Sequence, residues 1–153
     1  MNVETSRTRT PPAAWASFGL AIVGLLLAAY LTYEHFTDSA TLACIGNGAI
    51  DCLKVTTSQW SEIAGVPVAV AGLAYFVAMT FLCVPLRSGR DLGLARLIGA
   101  LAGTFMVLWL IYVELFLVGA ICLWCTGVHL VTLLLLGAVL WWREADRSAY
   151  YSD

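Results

Sequence analysis

Cys122 and Cys125 are the residues of this chain best placed to do chemistry. They stand three apart in Cys122-Leu123-Trp124-Cys125, just after Gly119 interrupts one long apolar stretch and another begins. A Cys-x-x-Cys pair that opens a helix is a redox device, because unpaired N–H groups and the positive end of the helix dipole favour thiolate over thiol. Two more cysteines, Cys44 and Cys52, bracket Gly46, Asn47 and Gly48, residues that tolerate positive φ and let a chain turn back on itself. A bridge between them is within reach. Cys83 stands apart near the end of another apolar run and reads as a small buried hydrophobe.

The elements that must position these cysteines are membrane helices. With 61% hydrophobic and 12% charged residues and a mean hydropathy of +0.86, the 153-residue chain is far more apolar than a soluble domain. A net charge of -2 argues against a nucleic-acid partner. Residues 1–12 form a polar tail expected to be disordered, and 13–33 is an uncharged run long enough to cross a bilayer as a helix. Its continuous Leu-rich centre, followed by Tyr30 and Tyr33, suits a retained span better than a cleaved signal peptide. Further spans are expected at about 66–86, with Pro67 in its first turn, at 97–118 and at 122–142, ahead of a tail over 143–153. The polar loop 34–65 should carry a short helix at the membrane surface after Cys52, with Leu53, Trp60, Ile63 and Ala64 on one face. The expected fold is an all-α bundle of four transmembrane helices, forming one domain over 13–142.

Charge orients this bundle. Seven of the eight basic residues (Arg7, Arg9, Arg87, Arg90, Arg96, Arg143, Arg147) lie in the two tails and the 87–96 connection, leaving only Lys54 in loop 34–65. The positive-inside rule then puts both termini in the cytoplasm and the protein in the plasma (inner) membrane as a multi-pass chain. Cys44, Cys52, Cys122 and Cys125 all meet at the exoplasmic, oxidising side.

Four cysteines on one face admit other readings. Zinc would ordinarily be held by two tight Cys-x-x-Cys knuckles, whereas Cys44 and Cys52 are eight apart, so no metal site is expected. A covalent c-type haem would need His after Cys125, where Thr126 stands. A tetraspan protein with two structural disulfides and no enzymatic activity is the remaining alternative.

Cys122, Cys125, His129 and Thr132 follow at spacings of three, four and three, one stripe down a helix. A ring lying on that stripe would meet thiols and then an imidazole. Ionisable residues inside a membrane are costly and usually functional, which makes His129 a candidate donor to a bound ring and Glu114 a candidate for proton handling or for a structural cap. Tyr75, Phe76, Tyr112 and Phe116 could wall such a ring.

Cys44 and Cys52 at this spacing, Thr57-Ser58-Gln59-Trp60, Gly65-Val66-Pro67 and Cys122-Leu123-Trp124-Cys125 together resemble the vitamin K epoxide reductase family, particularly its bacterial members, over about 13–142. The resemblance implies a four-helix bundle around a quinone, which serves as electron acceptor and is reduced with electrons from a thioredoxin-like protein. Menaquinone, ubiquinone or a related isoprenoid quinone from the membrane pool would serve. It also implies that Cys122 and Cys125 are the active pair, Cys44 and Cys52 the shuttle pair, and Ser58 the family's loop Ser or Thr. Animal members carry a quinone-binding Tyr where this chain has His129, and an Asn whose best match is apolar, near Val68, so head-group contacts differ at both positions. Many bacterial relatives carry a fused thioredoxin-like domain; this chain stops before one, so its expected partner is a separate exoplasmic protein.

Overall fold

The computed structural model describes residues 10–37, 49–63, 65–85 and 90–151. Its elements are α1 (Pro12–Thr37), α2 (Cys52–Thr56), the short strands β1 (Glu62–Ile63) and β2 (Val66–Pro67), α3 (Val68–Leu82), α4 (Arg90–Tyr112), a π-helical segment (Val113–Val118) and α5 (Leu123–Tyr151). This is an all-α membrane protein. Among the described residues, three helices are long and apolar enough to cross a bilayer: Pro12–Thr37, Asp91–Val118 and Leu123–Ser148.

The second expected span comes out shorter than its uncharged run. α3 has 15 residues, about 22 Å at 1.5 Å per residue, against a hydrocarbon core of about 30 Å. Pro67 explains the late start. It is extended at ψ 132 and precedes the helix instead of sitting in its first turn, while Val66 and Pro67 pair with Ile63 and Glu62. At the other end Pro85 disfavours helical backbone at Val84.

Arg96 supports that early stop. The sequence reading placed it in a basic connection, yet it lies within α4 and is 2% exposed. Its Nε donates to the Leu82 carbonyl at 2.6 Å, satisfying a carbonyl at the end of α3. Its guanidinium rests 3.8 Å from the Trp142 ring centroid, a cation–π contact that ties α4 to α5.

α1 is the packing centre, set against both α3 and α5. Ala14, Ser17, Ala21, Gly24, Ala28 and Leu31 form a buried, mostly small stripe at spacings of three and four, the pattern that lets membrane helices approach closely where water gives no driving force. The Phe76 ring of α3 occupies the space a side chain on Gly24 would need. Any larger residue there must displace an aromatic ring, at a cost of about 1–3 kcal/mol. Between α3 and α4, Gly99 receives the Met79 sulfur, 2.6 Å from where its Cβ would stand, and Gly103 receives the Tyr75 ring.

The short helix expected after Cys52 is present as α2 but stops before Trp60 and Ile63. α2 ends after five residues, because Thr56 Oγ1 donates to the Cys52 carbonyl, Thr57 Oγ1 to Leu53 and Ser58 Oγ to Val55. Such back-bonding side chains compete with helix continuation. The chain then bends through Ser58-Gln59-Trp60 into the β1–β2 pair, with Gly65 at φ 80.

Candidate active site

Two local features set the redox pair. The π-helical turn widens α4 so that consecutive residues Val113 and Glu114 are both buried. Gly119 then closes it at φ 64, its N–H donating to the Glu114 carbonyl, as does Ala120 N at 3.2 Å. Ile121 pairs in parallel with Ile50: Ile121 N donates to the Ala49 carbonyl at 2.9 Å and Asp51 N to the Ile121 carbonyl at 3.1 Å. Cys52 and Cys122 follow directly on these two paired stretches, and both are fully buried. Sequence pattern gave no signal for this bridge, since one residue pair creates no periodicity.

Cys122 sits just ahead of α5. The Cys125 backbone N–H donates to the Cys122 sulfur at 3.3 Å, a helix-start contact that favours thiolate. Hydrogen bonding from the Cys125 thiol holds the Cys122 pKa below its ordinary value, with burial opposing it. Cys122, Cys125 and Cys83 are free thiols. Cys52 is disulfide-bonded; Cys44 lies outside the described residues. Cys83 is buried in the core with Phe76 and Met79.

Beside the pair lies a cavity of about 640 Å³. From α5, Cys125, Val128 and His129 line it; from the π segment and the end of α4, Leu110, Val113 and Glu114. α3 contributes Val68, Ala69 and Gly72, and the loop contributes Ser58, Gln59 and Trp60. α1 adds Leu31, Glu34 and His35. Cys122 does not line it, so of the two thiols Cys125 is the one that opens onto the cavity.

The structure therefore brings Ser58, Cys125, His129 and Glu114 to one space and leaves other candidates outside. Thr132 is buried farther along α5, donating to the Val128 carbonyl. None of the four aromatics expected to wall a ring does so: Phe76 packs on Gly24, Tyr75 on Gly103, and Tyr112 and Phe116 stack on each other while exposed. Aromatics are common on lipid-facing helices, which is why their presence in the sequence misled. Trp60 is the aromatic residue that does reach the cavity.

Glu34 was missed. It reads in sequence as the first loop residue, but α1 continues to Thr37 and buries it at 8% exposure on the cavity wall. The small-residue stripe of α1, extended by one step of three from Leu31, lands on Glu34 and could have found it.

The cavity has the make-up of a small-molecule site. Its volume is in the range of small-molecule sites, and its walls are apolar with a few convergent polar groups. His129 is 5% exposed and makes no hydrogen bond within the described residues, so its imidazole is available to a carbonyl oxygen. Ser58 is less free, because its hydroxyl donates to Val55 at 2.8 Å. At the α3 wall near Val68 only apolar groups are offered.

A profile of the vitamin K epoxide reductase family matches residues 15–140. The chain belongs to that family. Membership gives it a quinone-linked redox function in general terms and makes it an oxidoreductase. The matched segment contains all five cysteines, Ser58 and His129, and ends before the exposed Glu144–Arg147 ion pair that closes α5.

Proposed function

We propose that this chain is a membrane quinone reductase that oxidises a separate thioredoxin-like partner and so supports disulfide formation. The observation that carries this is the division of labour between the two thiols: Cys125 faces the cavity, while Cys122 is sealed behind it where the Ile50–Ile121 bridge delivers Cys52. A partner thiolate attacks Cys44 of the loop disulfide and frees Cys52. Cys52 attacks Cys122 of an oxidised active pair and frees Cys125 as thiolate. The partner's second thiol then displaces Cys44 and leaves as the partner disulfide, and the freed Cys44 attacks Cys52 to re-form the loop bond, leaving Cys122 and Cys125 reduced. A bound quinone supplies an apolar two-electron, two-proton acceptor; Cys125 presents the electron pair, and His129 and Ser58 orient the head group. The net reaction converts a partner dithiol to a disulfide and a quinone to a hydroquinone.

In this reading α3 is a fourth crossing, completed by the extended Val66-Pro67 and the turn at Cys83, with both ends of the chain cytoplasmic. The native acceptor is an isoprenoid quinone such as menaquinone or ubiquinone. Orientation is tested with introduced cysteines at two exposed positions, because the buried Cys83 would be silent from either side. A membrane-impermeant thiol reagent added outside should modify Lys54→Cys and leave Ser148→Cys untouched until the membrane is opened; the reverse pattern would invert the orientation.

The roles of Ser58 and His129 are tested by truncation. Ser58→Ala and His129→Ala should each slow quinone reduction about 10- to 150-fold, the equivalent of one hydrogen bond to a charged group at about 1.5–3 kcal/mol. Folding should survive. Wild-type turnover in both variants would remove them from the site.

A further inference from the structure

Oxidising the Cys122–Cys125 dithiol releases two protons, and the two sulfurs stand differently toward the cavity. Cys125 lines it. Cys122 is 0% exposed and does not, so its proton needs a carrier to reach the acceptor. Glu114 meets both ends of that gap: its backbone carbonyl holds the Gly119–Ala120 turn just ahead of Cys122, its carboxyl faces the Cys122 backbone N–H, and it lines the cavity at 6% exposure. It lies near enough to both thiols to sense their charge. The π-helical turn puts it there by turning Val113 and Glu114 inward together. A carboxyl so deep in a membrane protein is costly unless it is used.

We propose that Glu114 carries the proton of Cys122, accepting it as the Cys122–Cys125 bond forms and passing it to one oxygen of the quinone. The proposal rests on the reading that this dithiol reduces a quinone. In the step, one S–S bond forms and two S–H bonds break. The electron pair leaves through the Cys125 sulfur for the acceptor. One proton travels through Glu114, and the Cys125 proton reaches the other oxygen by way of His129, so the hydroquinone gains the two electrons and two protons that the dithiol loses. The other ionisable groups around this cavity are Glu34 and His35 from α1, Glu62 from the loop, and Cys125 and His129 from α5.

The test uses the full chain in detergent, pre-reduced with dithiothreitol, freed of excess and mixed with a short-chain ubiquinone while quinone absorbance is followed across pH. Glu114→Gln keeps size and a carbonyl oxygen able to accept the Cys122 N–H but cannot carry a proton. It should slow quinone reduction at least about 100-fold and flatten the pH profile, with Glu114→Asp recovering part of the rate. A Gln variant within about threefold of wild type would reduce Glu114 to a holder of the Cys122 backbone and overturn the proposal. If the Gln variant does not fold, the Asp variant decides: a displaced pH midpoint supports the proton carrier, and an unmoved one overturns it. A wild-type protein that reduces no quinone overturns the underlying reading as well, whereas an active wild type with an unaffected Gln variant removes Glu114 alone.

Discussion

Cys125→Ala should abolish quinone reduction, by at least about a thousandfold, or about 4 kcal/mol of barrier, and at the same time lock the protein in a covalent internal trap. Cys125 is the thiol that opens onto the cavity, so its loss removes the route by which an electron pair leaves the protein. It also removes the sulfur that Cys122 would otherwise re-engage. The backbone pairing of Ile50 with Ile121 sets Cys52 two residues and Cys122 one residue beyond the paired positions, and both are excluded from water. In that setting a disulfide between them has neither a resolving thiol on α5 nor easy access for an external one. The variant should accumulate a Cys52–Cys122 bridge, detected by mass mapping of non-reduced peptides. A Cys125→Ala protein that still reduces quinone, or that keeps Cys122 as a free thiol when isolated with its loop disulfide unreduced, would remove Cys125 from its place in the relay.

Cys52→Ala should produce a trap of a different kind. Without Cys52, a partner bound to Cys44 is not expelled by an intramolecular thiol, and electrons have no path to Cys122. Offered a partner whose single remaining active cysteine is activated as a mixed disulfide with a small thiol, the lone Cys44 should displace that thiol and hold the partner in a larger band that collapses on reduction, while quinone consumption with the reduced partner falls to background. Exchange passes through a mixed disulfide at every step, and access decides which sulfur is attacked. Cys122, at 0% exposure, is a poor target for a protein-sized nucleophile. If the partner were captured on Cys122 instead, the shuttle role of the loop pair would be wrong.

The parts of this architecture carried by composition and periodicity could be read from residues alone. Uncharged runs marked the long helices, and helical spacing marked Cys125 and His129 as one stripe of α5, which reaches the cavity, with Cys122 just ahead of the helix. What escaped depended on backbone geometry that leaves no periodic trace. Pro67 could be read as a first-turn residue or as one ahead of the helix, and only its extended backbone decides. The π-helical turn at Val113–Val118, in which Val113 and Glu114 are buried, leaves no mark in hydrophobic spacing. The surface helix after Cys52 was over-extended because hydrophobic spacing says nothing about Thr56, Thr57 and Ser58 bonding back to their own helix. Arg96 was assigned to water because a charge in a membrane chain usually marks an interface. Here a carbonyl of α3 and the face of Trp142 receive it inside the fold.

The most direct test of the relay is turnover by the intact protein. Purified in detergent and supplied with a reduced thioredoxin-like protein and ubiquinone or menaquinone, it should form one hydroquinone for each partner disulfide made, read by quinone absorbance and by thiol titration of the partner. No quinone consumed with either acceptor and several partners, with all four site cysteines still bonded, would contradict the account and leave a tetraspan protein held by two structural disulfides.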